Sequence, residues 1–357
     1  MHKKIAIFPI DHNTVTFARY AYMGNYEAIA LLAPQLNVLE GNDISKIDGG
    51  TNANIQLHID YKLKIWDCDV VYFTNSDLIQ DMSIYHDLIE YAKDLGKETI
   101  IAKSVLARLG QKAETECCKQ QPIFFDDSIP LKLMTIEAPI ISLFTIGENC
   151  GQPQTELSMR EFFLNKDYHV MQIGTQEYSN VIGCINLPSF MFDSTVDSQK
   201  KIIMFNRFVY DLYMSEKPEL ILIGVPNPIM KYNDVILNGF GIIPFIIHNA
   251  IKSDIGVLSI YYGEYTHEYL KLITQFCKYR FDVQTKYFSI ANSHVSKNID
   301  DPSKLEYLYV NTDFVKSNFD VGIGKEDFTL FSPYDKESME KALHKIEDEL
   351  LSNPNQI

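Results

Sequence analysis

The sequence predicts an α/β fold made of two parallel-sheet domains, and three observations predict it. Short apolar runs of strand length recur at residues 4–10, 69–74, 140–146 and 220–225. Segments with helical spacing, such as 79–95 and 199–215, stand between them, and strands alternating with helices imply parallel sheets flanked by helices. At 357 residues the chain also exceeds one ordinary core, which suggests two domains.

The first domain is expected over residues 1–110, as a Rossmann-like α/β unit. Residues 4–10 (K-I-A-I-F-P-I) read as a buried strand, followed by the loop Asp11-His12-Asn13-Thr14 and a helical stretch through Tyr22. Residues 26–33, 69–74 and 99–102 are further strands, and Gly96 closes the helix at 79–95. In such sheets ligands sit beyond the carboxyl ends of strands, so the loops at 9–14 and 74–77 are expected to share one crevice. No G-x-G-x-x-G follows the first strand, which leaves a dinucleotide reading without its phosphate-binding turn. Residues 111–137, with Cys117-Cys118 and Gln120-Gln121-Pro122, lack long periodicity and are expected to be a linker.

The second domain, residues 138–357, opens on the stretch around which the chain is organised. An apolar strand at 140–146 runs into Gly147-Glu148-Asn149-Cys150-Gly151-Gln152-Pro153, and a helix is expected from Pro153, with Glu156 in its first turn. Backbone N–H groups in a glycine loop, backed by a helix N-terminus, suit a phosphate, so the domain resembles a P-loop NTPase fold. The loop is degenerate against G-x-x-x-x-G-K-[ST]. Its glycines are one residue too close, Gln152 stands where Lys is wanted, Pro153 replaces Ser or Thr, and Glu148 adds negative charge. Candidate ligand or nucleotide contacts are Gly147, Glu148, Asn149, Cys150, Gly151, Gln152, Gln154 and Thr155. Pro226 and Asn227, after the strand at 220–225, take the place of a switch-like segment. Beyond these come a strand at 168–173, a loop-rich passage at 176–198, an apolar run at 239–250 broken by Pro244, strands at 255–261, 287–290 and 306–310, and helices at 266–279 and 336–351. The tail at 353–357 is expected to fray.

Composition narrows the function classes. Hydrophobic residues at 46% and charged residues at 22% belong to a folded protein, and a net charge of −15 opposes a nucleic-acid partner. No apolar run reaches membrane-spanning length and no signal-peptide pattern opens the chain, so a cytoplasmic location is expected. The six cysteines form no C-x-x-C pair and the histidines no H-x-x-x-H, so no metal site is expected. Cys150 is a candidate nucleophile if the helix N-terminus lowers its pKa, set against the plainer reading of a small loop residue.

The residues G-E-N-C-G with Q-T-E-L-S-M-R-E-F-F, then Y-H-V-M-Q-I-G-T, L-P-S-F-M-F, K-I-I-M-F-N-R-F-V, E-K-P-E-L-I-L-I-G-V-P and I-Y-Y-G-E-Y together resemble the clostridial peptide maturation system proteins. The resemblance is close over the second domain and loose over the first. It implies a place in ribosomal peptide natural-product maturation, beside a radical SAM maturase and a Cys-rich precursor peptide, without implying a reaction. It also implies Lys at Gln152 and a glycine pair at Asn227-Pro228, where this chain departs and where nucleotide hydrolysis is correspondingly opposed. Two functions follow as expectations. One is an accessory protein that binds the precursor peptide or the maturase. The other is an enzyme using ATP or GTP at the loop, with magnesium held by Asp11, Asp77 or Asp193.

Overall fold

A computed structural model describes residues 2–111, 132–298, 301, 303–318 and 327–352. The chain is α/β and divides into two compact units, Met1–Gln121 with Glu177–Gly183, and Pro122–Gln176 with Cys184–Ile357. Most of the expected linker, and Cys117-Cys118 with it, lies outside the described residues, as does the expected frayed tail. Residues 132–137 carry neither helix nor strand.

The first unit is built from β1 (Lys3–Ile10), α1 (Val15–Tyr20), β2 (Tyr26–Leu32), α2 (Ser45–Asp48), β3 (Leu57–His58), α3 (Tyr61–Trp66), β4 (Val70–Phe73), α4 (Ser83–Asp94), β5 (Glu98–Ile101) and α5 (Lys103–Arg108). Its five strands are parallel in the order β3-β2-β1-β4-β5, the order of the dinucleotide-binding folds. β1 and β4 are central and buried on both faces, which is why they read as unbroken apolar runs. α4 ends at Gly96, whose φ of 67° suits glycine and whose N–H donates to the Lys93 carbonyl at 2.8 Å. A buried ion pair ties α1 to α2: Arg19 donates to both carboxylate oxygens of Asp48, at 2.6 and 2.8 Å.

The second unit contains β6 (Ile140–Thr145), α6 (Gln152–Leu164), β7 (Val170–Gly174), β8 (Ile185–Asn186), α7 (Ser198–Glu216), β9 (Leu220–Pro228), α8 (Ile242–Ala250), β10 (Ile255–Ile260), α9 (His267–Phe281), β11 (Thr285–Ile290), β12 (Ser293–Lys297), β13 (Leu305–Tyr309), α10 (Thr312–Asn318), β14 (Thr329–Phe331) and α11 (Lys336–Ser352). Seven strands form a parallel sheet in the order β14-β11-β10-β6-β9-β7-β8, and β12 and β13 form a separate antiparallel hairpin. Side chains alternate across β6, so Ile141 and Leu143 pack with α6 and α11 while Ile140 and Phe144 pack with α7, α8, α9 and α10. Asp197 and Thr266 cap α7 and α9, accepting from the Lys200 and Tyr269 N–H groups at 2.9 and 3.2 Å.

Three passages of the second half of the chain take a definite form here. The apolar run at 239–250, to which the sequence gives no element type, is a 3₁₀ turn, Asn238–Gly241, followed by helix α8 from Ile242, and Pro244 falls in the helix's first turn, where a missing N–H costs nothing. The strand expected at 306–310 belongs to the hairpin instead of the parallel sheet. The passage at 176–198 holds two 3₁₀ turns, Ser179–Ile182 and Ser189–Phe192, and the edge strand β8.

Candidate functional site

The connection leaving β6 lies on one face of the sheet and the connection leaving β10 on the other, which opens a crevice beyond their carboxyl ends. The glycine loop sits at that crevice. Helix α6 begins at Gln152, with Pro153 second and Glu156 past the first turn, one residue earlier than the sequence suggests. Asn149 and Gly151 turn the chain with φ of 53° and 68°. Among the described residues, the backbone N–H groups of Glu148, Asn149, Cys150, Gly151 and Gln152 meet no acceptor. The shape is that of an anion cradle.

The side chains of the loop serve other ends. The Gln152 amide turns under the loop and donates to the carbonyls of Leu143 and Val225, at 2.8 and 3.0 Å, so it links the ends of β6 and β9 and does not face a ligand. Gly147 is buried against Tyr261, where a Cβ would stand 2.0 Å from the phenol oxygen. The Tyr261 hydroxyl donates to the Glu148 carbonyl at 2.7 Å, and the Ser293 hydroxyl, from β12, donates to the Asn149 carbonyl at 2.6 Å. Cys150 packs with Tyr261 and Ala291, with Val295 and Tyr307 of the hairpin against them. The expected lowering of its pKa is overturned: burial pushes the thiol up, away from a nucleophilic thiolate. Glu148 points to solvent.

The remaining candidates are also engaged locally. Thr155 places its hydroxyl 2.7 Å from that of Ser289 and donates to the Gly151 carbonyl at 3.2 Å. Gln154 is buried, its amide 3.4 Å from the Ser158 hydroxyl. Asn227, with φ of 66°, and half-buried Pro226 lie where β9 shifts register against β6 and continues to pair Pro228 with Thr145. Of the acids proposed for magnesium, Asp193 accepts from the N–H and hydroxyl of Thr195 in its own turn. Asp11 and Asp77 belong to the first unit; Asp11 is buried and accepts from the N–H groups of Asn13 and Thr14. No group of His, Cys, Asp and Glu among the described residues could hold a metal ion. A magnesium nucleotide therefore fits poorly, since the lysine and the hydroxyl that would meet it are absent and Gln152 is already committed to backbone.

Sequence reasoning missed the buried acid of this site. Glu156 lies under the sheet ends, its carboxylate accepting from the Thr175 hydroxyl at 2.9 Å and its N–H at 3.3 Å, with the Gln172 amide at 3.5 Å. Gly224 makes the room, for a Cβ there would stand 2.6 Å from the carboxylate. Burial pushes the Glu156 carboxyl up to about 7, because the charged form loses water and meets only neutral donors. The glycine inside the apolar strand was the available signal. Tyr261 and the hairpin left none, since their contact with the loop depends on tertiary placement.

No family model matches the chain, and no curated protein matches it. Among solved structures it is similar to a DUF1611 family protein from Anabaena variabilis, at 10% identity and a TM-score of 0.52, over 81% of this chain and 87% of that one. A pseudomurein peptide ligase type C from Methanothermus fervidus also aligns, at 12% identity over 83% of this chain and 50% of that one, with a TM-score of 0.28 that bears no argument. The first likeness extends over both units, and what it establishes is the two-sheet α/β fold.

Proposed function

We propose that this protein is a binding, non-hydrolysing accessory of ribosomal peptide maturation, which engages a Cys-rich precursor peptide or its radical SAM maturase. The observation that carries the first half is the inward Gln152 amide. The position that would reach the β and γ phosphates donates instead to two strand carbonyls. Tyr261 against Gly147 and the hairpin residues against Cys150 support the same reading, because they commit these loop residues to packing within the protein. The peptide half rests on the family resemblance of the sequence. Calorimetric titration of the purified protein with the precursor peptide and with the maturase tests it. Saturable binding to either is expected, and flat traces with both would refute it.

A second reading, a nucleotide-dependent enzyme of the same pathway, is favoured by the five loop N–H groups that meet no acceptor. They could hold a phosphate by backbone alone. A titration with ATP and GTP, with and without magnesium, separates the two readings.

A further inference from the structure

The second unit has a cavity at the end of its sheet opposite the glycine loop. It lies at the amino ends of β6 and β10, has a volume of about 820 Å³, and holds the buried side chains of Ile140, Ala250, Ile251 and Phe281 in its wall. Residues 133–138 line one side. Asn206, on α7, fixes that side by accepting from the Met134 N–H at 2.7 Å and donating to the Met134 and Ala250 carbonyls at 3.0 and 2.8 Å. Ligand sites of this size combine apolar walls with a few placed polar groups.

One polar atom in the wall is unmatched. Helix α8 reads I-I-P-F-I-I-H-N-A, and His248 is its sole ionisable residue. The ring is 7% exposed, stacked on Phe281 at 5.2 Å and set against Phe144 edge to face at 5.3 Å. Nδ1 stands 2.8 Å from the Pro244 carbonyl, which can only accept, so Nδ1 carries the proton and Nε2 the bare lone pair. Nε2 is buried and has no hydrogen-bond partner. Pro244 lies one turn back along α8, so the lone pair, on the far side of the ring, looks toward the end of the helix, where residues 249–252 line the cavity. A buried acceptor left unmet costs free energy that an arriving donor returns.

The surrounding groups decide the kind of donor. Both amide hydrogens of Asn206 are spent on backbone carbonyls, so Asn206 offers a ligand none. At the rim, Glu137, Asp254 and Asp282 stand against Lys252, an arrangement that opposes an anion. The stacked rings of His248 and Phe281 suit an aromatic body. We propose that this cavity binds an uncharged aromatic molecule bearing an N–H or O–H group, of the indole or phenol class, with that group donating to His248 Nε2. The site stands apart from the peptide-binding function proposed above, whose failure would leave it untouched.

The test titrates the full chain with indole and with benzofuran, which has the same shape and a ring oxygen in place of the N–H. Indole should bind saturably at one site, at least tenfold more tightly than benzofuran. In protein labelled with isotopic histidine nitrogen, indole should move the His248 Nε2 resonance toward that of a hydrogen-bonded nitrogen, and benzofuran should not. His248→Phe keeps a ring between Phe144 and Phe281 and removes the acceptor. It should retain the melting temperature, bind benzofuran as the parent does and lose the tenfold advantage of indole. Equal binding of the two compounds to the parent, or binding of neither, overturns the proposal, whether or not the variant folds. An indole preference that survives His248→Phe overturns it too.

Discussion

Replacing Glu156 by Gln should separate the pH dependence of this fold into its parts. In the folded chain burial holds the Glu156 carboxyl up at about 7, against an ordinary value of 4.5. A raised carboxyl favours the fold while protonated, so its contribution is fully present below pH 4.5 and is lost as pH rises through about 7. At about 1.4 kcal/mol for each tenfold, the loss amounts to about 3 kcal/mol. The amide of glutamine has the shape of the protonated acid and cannot ionise, so the variant should be more stable than the parent by up to about 3 kcal/mol above pH 7, with the gap closing toward pH 4.5. The parent's own profile hides this. His248, buried beside Phe144 and Phe281, is held down to about 4, and its neutral form contributes stability that is lost as pH falls from 6.5 toward 4. Over that window the two groups oppose each other and nearly cancel. Urea unfolding of parent and variant at half-unit steps from pH 4 to 8 gives the difference directly. A difference that stays constant across the range would refute the assignment of a neutral buried acid.

Other consequences follow from single contacts. Asp48→Asn leaves the Arg19 guanidinium buried without its carboxylate and should cost about 3 to 5 kcal/mol in urea unfolding; a cost below about 1 kcal/mol would contradict the burial of the pair. Tyr261→Phe removes the hydroxyl from the Glu148 carbonyl and should destabilise by about 1 kcal/mol, with an unchanged denaturant slope. Cys150 should resist iodoacetamide at pH 7.5 in the folded protein and react once unfolded, as peptide mapping would show; modification of the native protein at the rate of a free thiol would restore the nucleophile reading.

Much of the fold was legible because it rests on local rules. The runs at 140–146 and 220–225 are central parallel strands, and burial on both faces is what makes such strands uniformly apolar. The body of helix α4 with Gly96 at its end, though not its start at Ser83 in place of the expected residue 79, and α11 over its full length follow from local spacing. Pro244 left the run at 239–250 without an element type, because a proline in a first helical turn and a proline that breaks a strand look alike in sequence. The degenerate loop was legible as a shape, but the direction of its side chains was not. That Gln152 turns inward depends on carbonyls of β6 and β9, which lie far apart in sequence and meet only in the sheet. The polar run from Gln152 to Ser158 likewise gives no sign, taken alone, that its members are buried, since helical spacing would place several of them toward solvent.

Whether the glycine loop holds a triphosphate is tested most directly by one calorimetric titration. ATP and GTP at millimolar concentration, each with and without magnesium, should give no saturable heat with the full chain. Saturable binding that requires magnesium and disappears in Gly151→Val would contradict the account, and would mean that the backbone cradle binds nucleotide without the lysine.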